Sequence, residues 1–599
     1  MDLVEPLEFF DSNIPCLAAC PVHTNAGLYV AAIADGDDEL AYLTARLPNP
    51  FASVCGRVCA APCEDACRRG EIDKPIAIRA LKRFVTERYG VEAGTDSIVS
   101  RVTAHVAVER SESVGIVGGG PAGLSAAHDL RRHGYRVSIY EATERLGGMM
   151  LLGIPEYRLD RDLVAGEIEA IISMGVDVQT GVKLGEHLSL DDLRERHDAV
   201  FLAIGATLGR GLDIDGADAD GVLRAVEYLI NVNRGFQVDI GERVLVVGGG
   251  DVAMDAARTA LRTEAYTSSS PTSTDDRQQP SMTEALDAAR TAARAGAHEV
   301  TVMSLESAEE MPAAEFELEE AAKENIAFIH RRGPNRILTR SGSVAGIETV
   351  GVESVFDADG RFAPVFNRED LQTLDVDTVI LAVGQAVDTA AIGSNGPDLT
   401  RAMTIGVGEG LVTSLPDVWA GGDAAHGPRT LIEAIADGRT AAASIHESFG
   451  GAAEEAQAGQ MVRTNGFDRH RDTYDRIPRA VIPTLPTDRR IGLAEVELGL
   501  TEDQARMEAQ RCLRCFANIT LDIGSCVLCG LCSDVCPVDV IDLVPSEEID
   551  SAHVGGTALT LDERACIRCG LCVDRCPTDA LSWGVWQGVG VPVSIGVPA

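Results

Sequence analysis

The stretch VGIVGGGPAGLSAAHDLRRHGYRVSIYEA, residues 114–142, decides the fold. Its apolar opening reads as a buried β-strand and its glycines as a tight turn. An amphipathic helix follows, and then a second strand that ends in an acid. Gly118, Gly120 and Gly123 fill the pattern G-x-G-x-x-G, and Pro121 and Ala122 open the helix without bulk. Such a turn lets the backbone approach a pyrophosphate seated on the helix N-terminus. Glu141 lies 18 residues beyond Gly123, where an acid can accept a hydrogen bond from a ribose hydroxyl. A bare G-x-G-x-x-G often marks only a turn, but here strand, helix and acid are all in place.

A second copy stands at RVLVVGGGDVAMDAARTALR, residues 243–262, with Gly248, Gly250 and Ala253 in the pattern G-x-G-x-x-A and Asp251 and Val252 at the helix start. Two dinucleotide sites in one chain imply a flavin and a nicotinamide cofactor facing each other, because a flavin needs a hydride source.

The chain has sixteen cysteines, and no stretch of it reads as a secretory signal. Metal or redox chemistry is a readier explanation for them than disulfides. CVLCGLCSDVCP places Cys526, Cys529, Cys532 and Cys536 in the run C-x2-C-x2-C-x3-C-P, and CIRCGLCVDRCP repeats it at Cys566, Cys569, Cys572 and Cys576. This is the spacing of a two-cluster bacterial ferredoxin, in which the fourth cysteine of each run serves the other cluster. Cys576 is therefore expected to join the first trio and Cys536 the second. Zinc is the alternative, since paired C-x2-C units also suit a tetrahedral ion. Six more cysteines, Cys16, Cys20, Cys55, Cys59, Cys63 and Cys67, lie near the start, and an orphan pair, Cys512 and Cys515, sits in EAQRCLRCFAN.

The later stretch LPDVWAGGDAAHGPRTLIEAIADGRTAA, residues 415–442, resembles the second FAD motif of flavoproteins with two dinucleotide domains. The resemblance gives Asp423 a contact with the ribityl-phosphate part of FAD and directs the helix start at Thr430 and Leu431 toward the isoalloxazine. FAD is then assigned to the half with Gly118, and the nicotinamide to the half with Gly248. Together with NPFASVCGRVCAAPCEDAC (49–67) and GGMMLLGIPEYRL (147–159), which contains Gly148, these motifs are similar to the small-subunit family of glutamate synthase. That family shares its plan with the N-terminal part of dihydropyrimidine dehydrogenase. The resemblance implies a multidomain α/β architecture. A helical iron–sulfur domain is expected at 1–108, an FAD domain at 109–235 and 370–450, and an inserted NAD domain at 236–369. A return segment at 451–520 and a ferredoxin-like α+β domain at 521–599 complete the plan.

The same resemblance places two 4Fe-4S clusters in the N-terminal domain. Family members usually begin with an additional C-x2-C, and EAQRCLRC resembles that element. The first cluster is then assigned to Cys16, Cys67, Cys512 and Cys515. Cys20, Cys59 and Cys63 remain for the second, with Cys55 as the fourth ligand, because Lys82 and Arg83 are cations unsuited to iron. Four clusters with four ligands each use all sixteen cysteines. A surface dithiol or a small zinc site is the other reading of the orphan pair.

The family often recognises NADPH through a Tyr-Arg-Arg end on the second strand of the inserted domain. Here EVTVMSLESAEEMPA, residues 299–313, carries Glu306 at that place. An acid accepts from a ribose 2′-hydroxyl and repels a 2′-phosphate, so NADH is expected over NADPH. The other reading is that Glu306 is one more solvated acid. The segment TEAYTSSSPTSTDDRQQPSMTEA, residues 263–285, is too polar to bury a core and reads as a mobile excursion.

A net charge of −40 argues against nucleic acid and anionic membrane surfaces as partners. With no run of apolar residues long enough to span a bilayer, the expected location is cytoplasmic. The function implied is hydride exchange between NADH and FAD, then single-electron transfer through the clusters to ferredoxin or to a partner redox subunit in a hetero-oligomer. A small subunit of NADPH-dependent glutamate synthase, a flavin-based bifurcating subunit and a non-catalytic cluster-bearing adaptor are the alternatives.

Overall fold

The structure, a computed structural model, describes residues 13–103, 107–236, 238–262, 297, 299–393, 395–452, 460–464, 476–490, 492–549, 551–552 and 555–587. The polar segment 263–285 and the tail beyond 587 lie outside the described residues. The chain divides into two compact units. One comprises Val106–Phe449 with Thr484–Leu498, the other Met1–His105, Gly450–Pro483 and Gly499–Ala599. The segment expected at 451–520 is thus shared between them. No helix among the described residues is long and apolar enough to cross a membrane.

The Val106–Phe449 unit holds two parallel five-stranded sheets. The first runs in the order Val418–Ala420, Ala199–Leu202, Ser113–Val117, Arg136–Glu141, Asp177–Thr180. Its central strand pairs Ile116 with Ile139 on one side and with Phe201 on the other. Continuous apolar runs such as AVFL follow from burial on both faces. The helix Pro121–Arg132 packs against Leu431–Ser448, and Ser125 Oγ donates to the Ile435 carbonyl at 2.9 Å.

The second sheet runs Val222–Arg224, Thr378–Leu381, Arg243–Val247, Glu299–Met303, Ala327–Ile329. Val222–Arg224 and Thr378–Leu381 therefore belong with the glycine turn of Gly248, although the borders expected at 235/236 and 369/370 leave them with the other half. The chain crosses between halves through a short antiparallel pair, Leu208–Gly209 with Gln385–Ala386, with no change in composition to mark the crossing. An antiparallel meander, Arg332–Arg340, Ser343–Phe356 and Phe362–Leu374, follows the fifth strand. The sequence reading does not include it.

Behind the second sheet lies a buried ionic network. Arg258 Nη1 meets Glu317 at 2.6 Å, and Arg262 Nη1 meets Glu324 at 2.8 Å. Arg490 reaches Glu324 at 3.0 Å, and Arg158 meets Asp255 at 2.6 Å. Burial opposes the Glu324 carboxylate, but Arg262 and Arg258 hold its pKa down to about 2.

In the other unit the helices Ala26–Asp35, Asp38–Arg46, Ala52–Val58 and Ile78–Tyr89 pack together, and Glu502–Ala509 lies against the first and last of them. Arg511 and Glu508, both fully buried, meet at 2.6 Å, and Arg511 also reaches Asp73 at 2.9 Å. The Ala517–Leu521 strand starts two residues after Cys515 and pairs antiparallel with Leu581–Gln587, whose other edge takes Gln460–Thr464. A second ribbon joins Ile541–Pro545 to Thr557–Leu561. Around these strands Ala517, Ile519, Ile541, Leu581 and Trp583 form one core with Cys532, Cys566 and Cys572.

Candidate functional site

The glycine turns have the same local construction in both halves. Gly118 has φ +104° and Gly248 φ +144°, and a Cβ on either would collide with the carbonyl of a neighbouring strand end, Ala203 or Ala382. Only glycine fits there. Gly123 and Ala253 then let each helix lie close to its strand, and Ala253 is fully buried.

A cavity of about 370 Å³ opens over the first turn. Of the expected FAD residues, Gly118, Gly120, Pro121, Ala122, Glu141, Gly148 and Asp423 line it. The volume lies within the ordinary range of cofactor pockets. Gly148 stands so close to Gly120 that a Cβ on it would lie 2.8 Å from the Gly120 Cα, so two bare backbones face each other beside the cavity. Glu141 ends its strand buried, with Oε2 accepting from the Gly119 N–H at 2.7 Å and Oε1 from both the N–H and the hydroxyl of Thr143 at 2.8 Å. Asp423 lies in a polar corner where Arg429 donates its N–H at 3.2 Å. Burial nevertheless dominates and pushes the Asp423 carboxyl up to about 6. Thr430 and Leu431 open the Leu431–Ser448 helix, with Thr430 in a capping box with Glu433, and they are not among the residues lining the cavity. Thr143, Lys183, Arg234 and Asp388 do line it, though no motif in the sequence singles them out.

In the second half, Gly250 caps the helix Asp251–Ala260 and has open space before it. Val252 is half-buried, while Asp251 accepts the Ala314 N–H at 3.0 Å and so ties a loop to the helix start. Glu306 lies three residues past the Glu299–Met303 strand, its Oε2 3.0 Å from the Cβ position of Gly249. Glu141 stands in the same relation to Gly119, at 3.3 Å. Beside Glu306, the Arg331 N–H donates to its carbonyl at 3.1 Å, while the Arg331 guanidinium pairs with Glu310 at 2.7 Å.

The cysteines gather into four sets. Burial pushes the Cys16 thiol well up, and Cys515, Cys512, Cys63 and Cys67 crowd it further. Cys512 is pushed up to about 12 by burial and then by Cys515. Cys55, Cys59 and Cys63 converge with Cys20 on the buried Lys82. Burial works against that ammonium, but Cys55, Cys20, Cys59 and Cys63 outweigh it and lift its pKa. Hydrogen bonding from Cys55 is the main reason the Cys59 thiol is lowered to about 6.

In the C-terminal part, Cys526, Cys529, Cys532 and Cys576 line one small pocket. Cys569 is raised by burial first, then by its neighbours Cys566 and Cys536. Each trio thus meets the fourth cysteine of the other run, as the ferredoxin pattern requires.

Local backbone relates the orphan pair to these loops. In the orphan C-x-x-C and in the first C-x-x-C of each ferredoxin-like run, the residue before the second cysteine is left-handed: φ is +50° at Arg514, +53° at Leu528 and +58° at Arg568. The Arg514 and Arg568 N–H groups both donate to the first sulfur, of Cys512 and of Cys566, at 3.4 Å. Left-handed leucine and arginine are unusual, and three in equivalent places mark a common loop.

The donor chemistry fits iron–sulfur clusters. Each set offers four sulfurs and no carboxylate, with backbone N–H groups aimed at sulfur. Among the described residues no three Cys, His, Asp or Glu side chains converge as a single metal ion needs.

Comparison with known proteins agrees with this geometry. The family pattern described as pyridine nucleotide-disulphide oxidoreductase matches residues 112–438. Residues 11–93 match the 4Fe-4S domain II of dihydropyrimidine dehydrogenase, and 525–580 match a 4Fe-4S dicluster domain. The NADP(+)-dependent formate dehydrogenase subunit beta of Moorella thermoacetica is 34% identical over 551 residues, 86% of this chain and 72% of that protein. The NADPH-Fe(3+) oxidoreductase subunit beta of Geobacter sulfurreducens is 32% identical over 84% of this chain and 75% of its own length. The NADPH glutamate synthase small chain of Azospirillum brasilense is 29% identical over 72% of this chain and 85% of its own. The chain belongs to the pyridine nucleotide-disulphide oxidoreductase family, as an oxidoreductase of the glutamate synthase small-chain type with iron–sulfur domains on both sides.

Proposed function

We propose that the chain is the NADH-facing subunit of a larger redox enzyme, moving electrons between a nicotinamide, FAD and four 4Fe-4S clusters. The observation that carries this reading is the conjunction of the Gly118–Glu141–Asp423 cavity with four converging sets of four cysteines. Glu141 would hold the adenosine ribose of FAD and Asp423 its ribityl chain. Gly118 and Gly120 would leave room for the pyrophosphate at the helix N-terminus. Gly248, Gly250, Asp251, Val252 and Ala253 would do the same for the nicotinamide dinucleotide, with Glu306 on its ribose.

Bound FAD supplies the conversion from a two-electron hydride to single electrons. What the protein contributes is position, and no side chain is needed as a general base. Cys16, Cys67, Cys512 and Cys515 would hold one cluster, and Cys20, Cys55, Cys59 and Cys63 a second. The two ferredoxin-like quartets would hold the others. The relatives named formate dehydrogenase and NADPH-Fe(3+) oxidoreductase are beta subunits, which supports a hetero-oligomer with a partner holding the terminal substrate site. Soluble ferredoxin is the other acceptor chemistry.

NADPH is the second reading, favoured by the names of those relatives and by Arg331, whose backbone N–H bonds the Glu306 carbonyl and whose guanidinium is partly exposed. NADH is preferred because Glu306 repeats the placement of Glu141 and Arg331 is already neutralised by Glu310. Anaerobic mixing with each coenzyme tests both. Flavin bleaching by NADH at least tenfold faster than by NADPH is expected, with about sixteen irons per chain. Faster bleaching by NADPH would reverse the coenzyme assignment, and a flavin indifferent to both would sink the function. Glu306→Arg should lower the NADH preference by about tenfold, or ~1.4 kcal/mol of discrimination.

A further inference from the structure

Two arginines next to cysteines, Arg68 and Arg568, lack the acid partners that buried cations require. Arg568 is fully buried between Cys566 and Cys569, and none of its three guanidinium nitrogens has a hydrogen-bond partner. Arg68 directly follows Cys67 and is 7% exposed. The Cys515 thiol lies within electrostatic reach of its guanidinium, whose Nε and Nη1 have no hydrogen-bond partner. Both Arg568 and Cys566 lie within electrostatic reach of Arg68. Two other buried arginines of this unit are paired with acids, Arg511 with Glu508 and Asp73 and Arg69 with Asp73 at 2.7 Å, whereas Arg46, away from the cysteines, bonds only the Asn49 carbonyl. A buried guanidinium without an acid partner costs several kcal/mol, so two within electrostatic reach of each other call for negative charge nearby.

The thiolate quartets can supply it. A 4Fe-4S cube on four thiolates is net negative and becomes more so on reduction. Arg68 directly follows Cys67 and lies within electrostatic reach of Cys515, both of the quartet of Cys16, Cys67, Cys512 and Cys515, while Arg568 lies inside the loop of the Cys536, Cys566, Cys569 and Cys572 quartet. The strand Ala517–Leu521 runs directly from the first into the sheet that supports the second.

We propose that Arg68 and Arg568 form a cationic bridge between these two quartets. The bridge makes them the adjacent pair across which an electron passes between the N-terminal and the ferredoxin-like cysteines, and it raises the reduction potential of both. The inference rests on the proposed assignment of clusters to these cysteines. In the step, the group on one quartet is oxidised by one electron and the group on the other is reduced by one. No bond forms or breaks, and no proton is taken up. The positive charge favours the reduced form on either side, so the electron is stabilised where it would otherwise meet two like-charged sites.

The test is an EPR-monitored redox titration of the full-length protein, with iron counted, for the wild type and the variants Arg568→Gln, Arg68→Gln and Arg568→Lys. Each Gln variant should keep its iron and lower the reduction equilibrium of the affected cluster at least tenfold, about 59 mV for one electron. Arg568→Lys should stay within about threefold of wild type, and the fully reduced wild type should show lines broadened by spin coupling between the two clusters. Unchanged titrations in both Gln variants with full iron would overturn the bridge, as would equal shifts in the Gln and Lys variants at residue 568. Unbroadened signals would overturn the adjacency. If the Gln variants lose iron and the Lys variant keeps it, charge is what retains the cluster and the bridge stands. If the Lys variant loses it too, the bridge falls. A wild-type protein with only about eight irons would instead defeat the cluster assignment itself.

Discussion

Asp423 shows how one residue carries a cost to the fold for the sake of a site. A carboxyl held at about 6 when folded, against 3.8 normally, binds its proton more tightly in the folded chain. Its ionised form therefore destabilises the fold above pH 6, and the penalty fades as pH falls from about 6 to about 4. From the size of the shift, the penalty at neutral pH is about 3 kcal/mol. Asp423→Asn should raise the thermal midpoint of the flavin-free protein at pH 7.5 and leave it unchanged at pH 4. The same variant should weaken FAD binding about tenfold or more, because the amide is a poorer acceptor for the ribityl hydroxyls. Differential scanning calorimetry and fluorescence titration with FAD would check the two effects. A variant that binds FAD as tightly as wild type would remove Asp423 from the site. The residue was legible in the sequence because Gly-Gly-Asp precedes a helix in a recognisable motif. Thr143, Lys183, Arg234 and Asp388 were not, since they reach the same cavity from different stretches of chain and none belongs to a pattern.

At the scale of elements, the loop Cys512–Cys515 and the Glu324 network differ in how far the sequence reveals them. The loop was visible as C-x-x-C, but not its left-handed Arg514 or its likeness to Cys566–Cys569, which depend on backbone conformation. Replacing Cys512 and Cys515 with Ser should lower the iron content from about sixteen to about twelve per chain, and unchanged iron would make the pair a dithiol. Neither the network nor the meander at residues 332–374 carries a motif. Alternating strands in an acidic, half-exposed hairpin resemble any solvated segment, and ion pairs across 59 and 62 residues of sequence leave no local trace. The network nonetheless matters to the fold. A Glu324 pKa of about 2 against 4.5 means stability that is fully present above pH 4.5 and is lost as pH falls toward 2. The amount is about 3 kcal/mol. Glu324→Gln should cost about 3–5 kcal/mol, since it leaves Arg258, Arg262 and Arg490 short of charge. Its acid unfolding curve should be flatter than wild type between pH 4.5 and about 2. Urea titrations at several pH values would read both effects, and a curve as steep as wild type would place the acid sensitivity elsewhere.

At the scale of the whole molecule, the sequence reads as a series of domains, whereas the chain folds as two units in which the first hundred residues and the last hundred belong together. Fold class and both glycine turns were legible because each lies in one continuous stretch. The return of Cys512 and Cys515 toward Cys16 and Cys67 was expected from the family resemblance, but the sharing of one unit with the ferredoxin-like part was not, because it depends on strand pairing that leaves no local pattern. This has a consequence for truncation. If the ferredoxin-like part were autonomous, a chain ending at residue 520 would lose two clusters and keep about eight irons. What remains of the strand, residues 517–520, would however lose its partner Leu581–Gln587. Phe516, which packs with Ile14 and Leu17 beside Cys16 and Cys515, stands directly before that strand. An unpaired strand rooted at the ligand loop is a poor support for a cluster, and the exposed edge would invite association. The truncated chain should therefore retain about four irons, those of the Cys20, Cys55, Cys59 and Cys63 set, with its FAD content unchanged. Its flavin should still bleach with NADH. Iron analysis and flavin absorbance of the purified fragment would decide it. About eight irons would mean that the quartet of Cys16, Cys67, Cys512 and Cys515 stands without the C-terminal sheet.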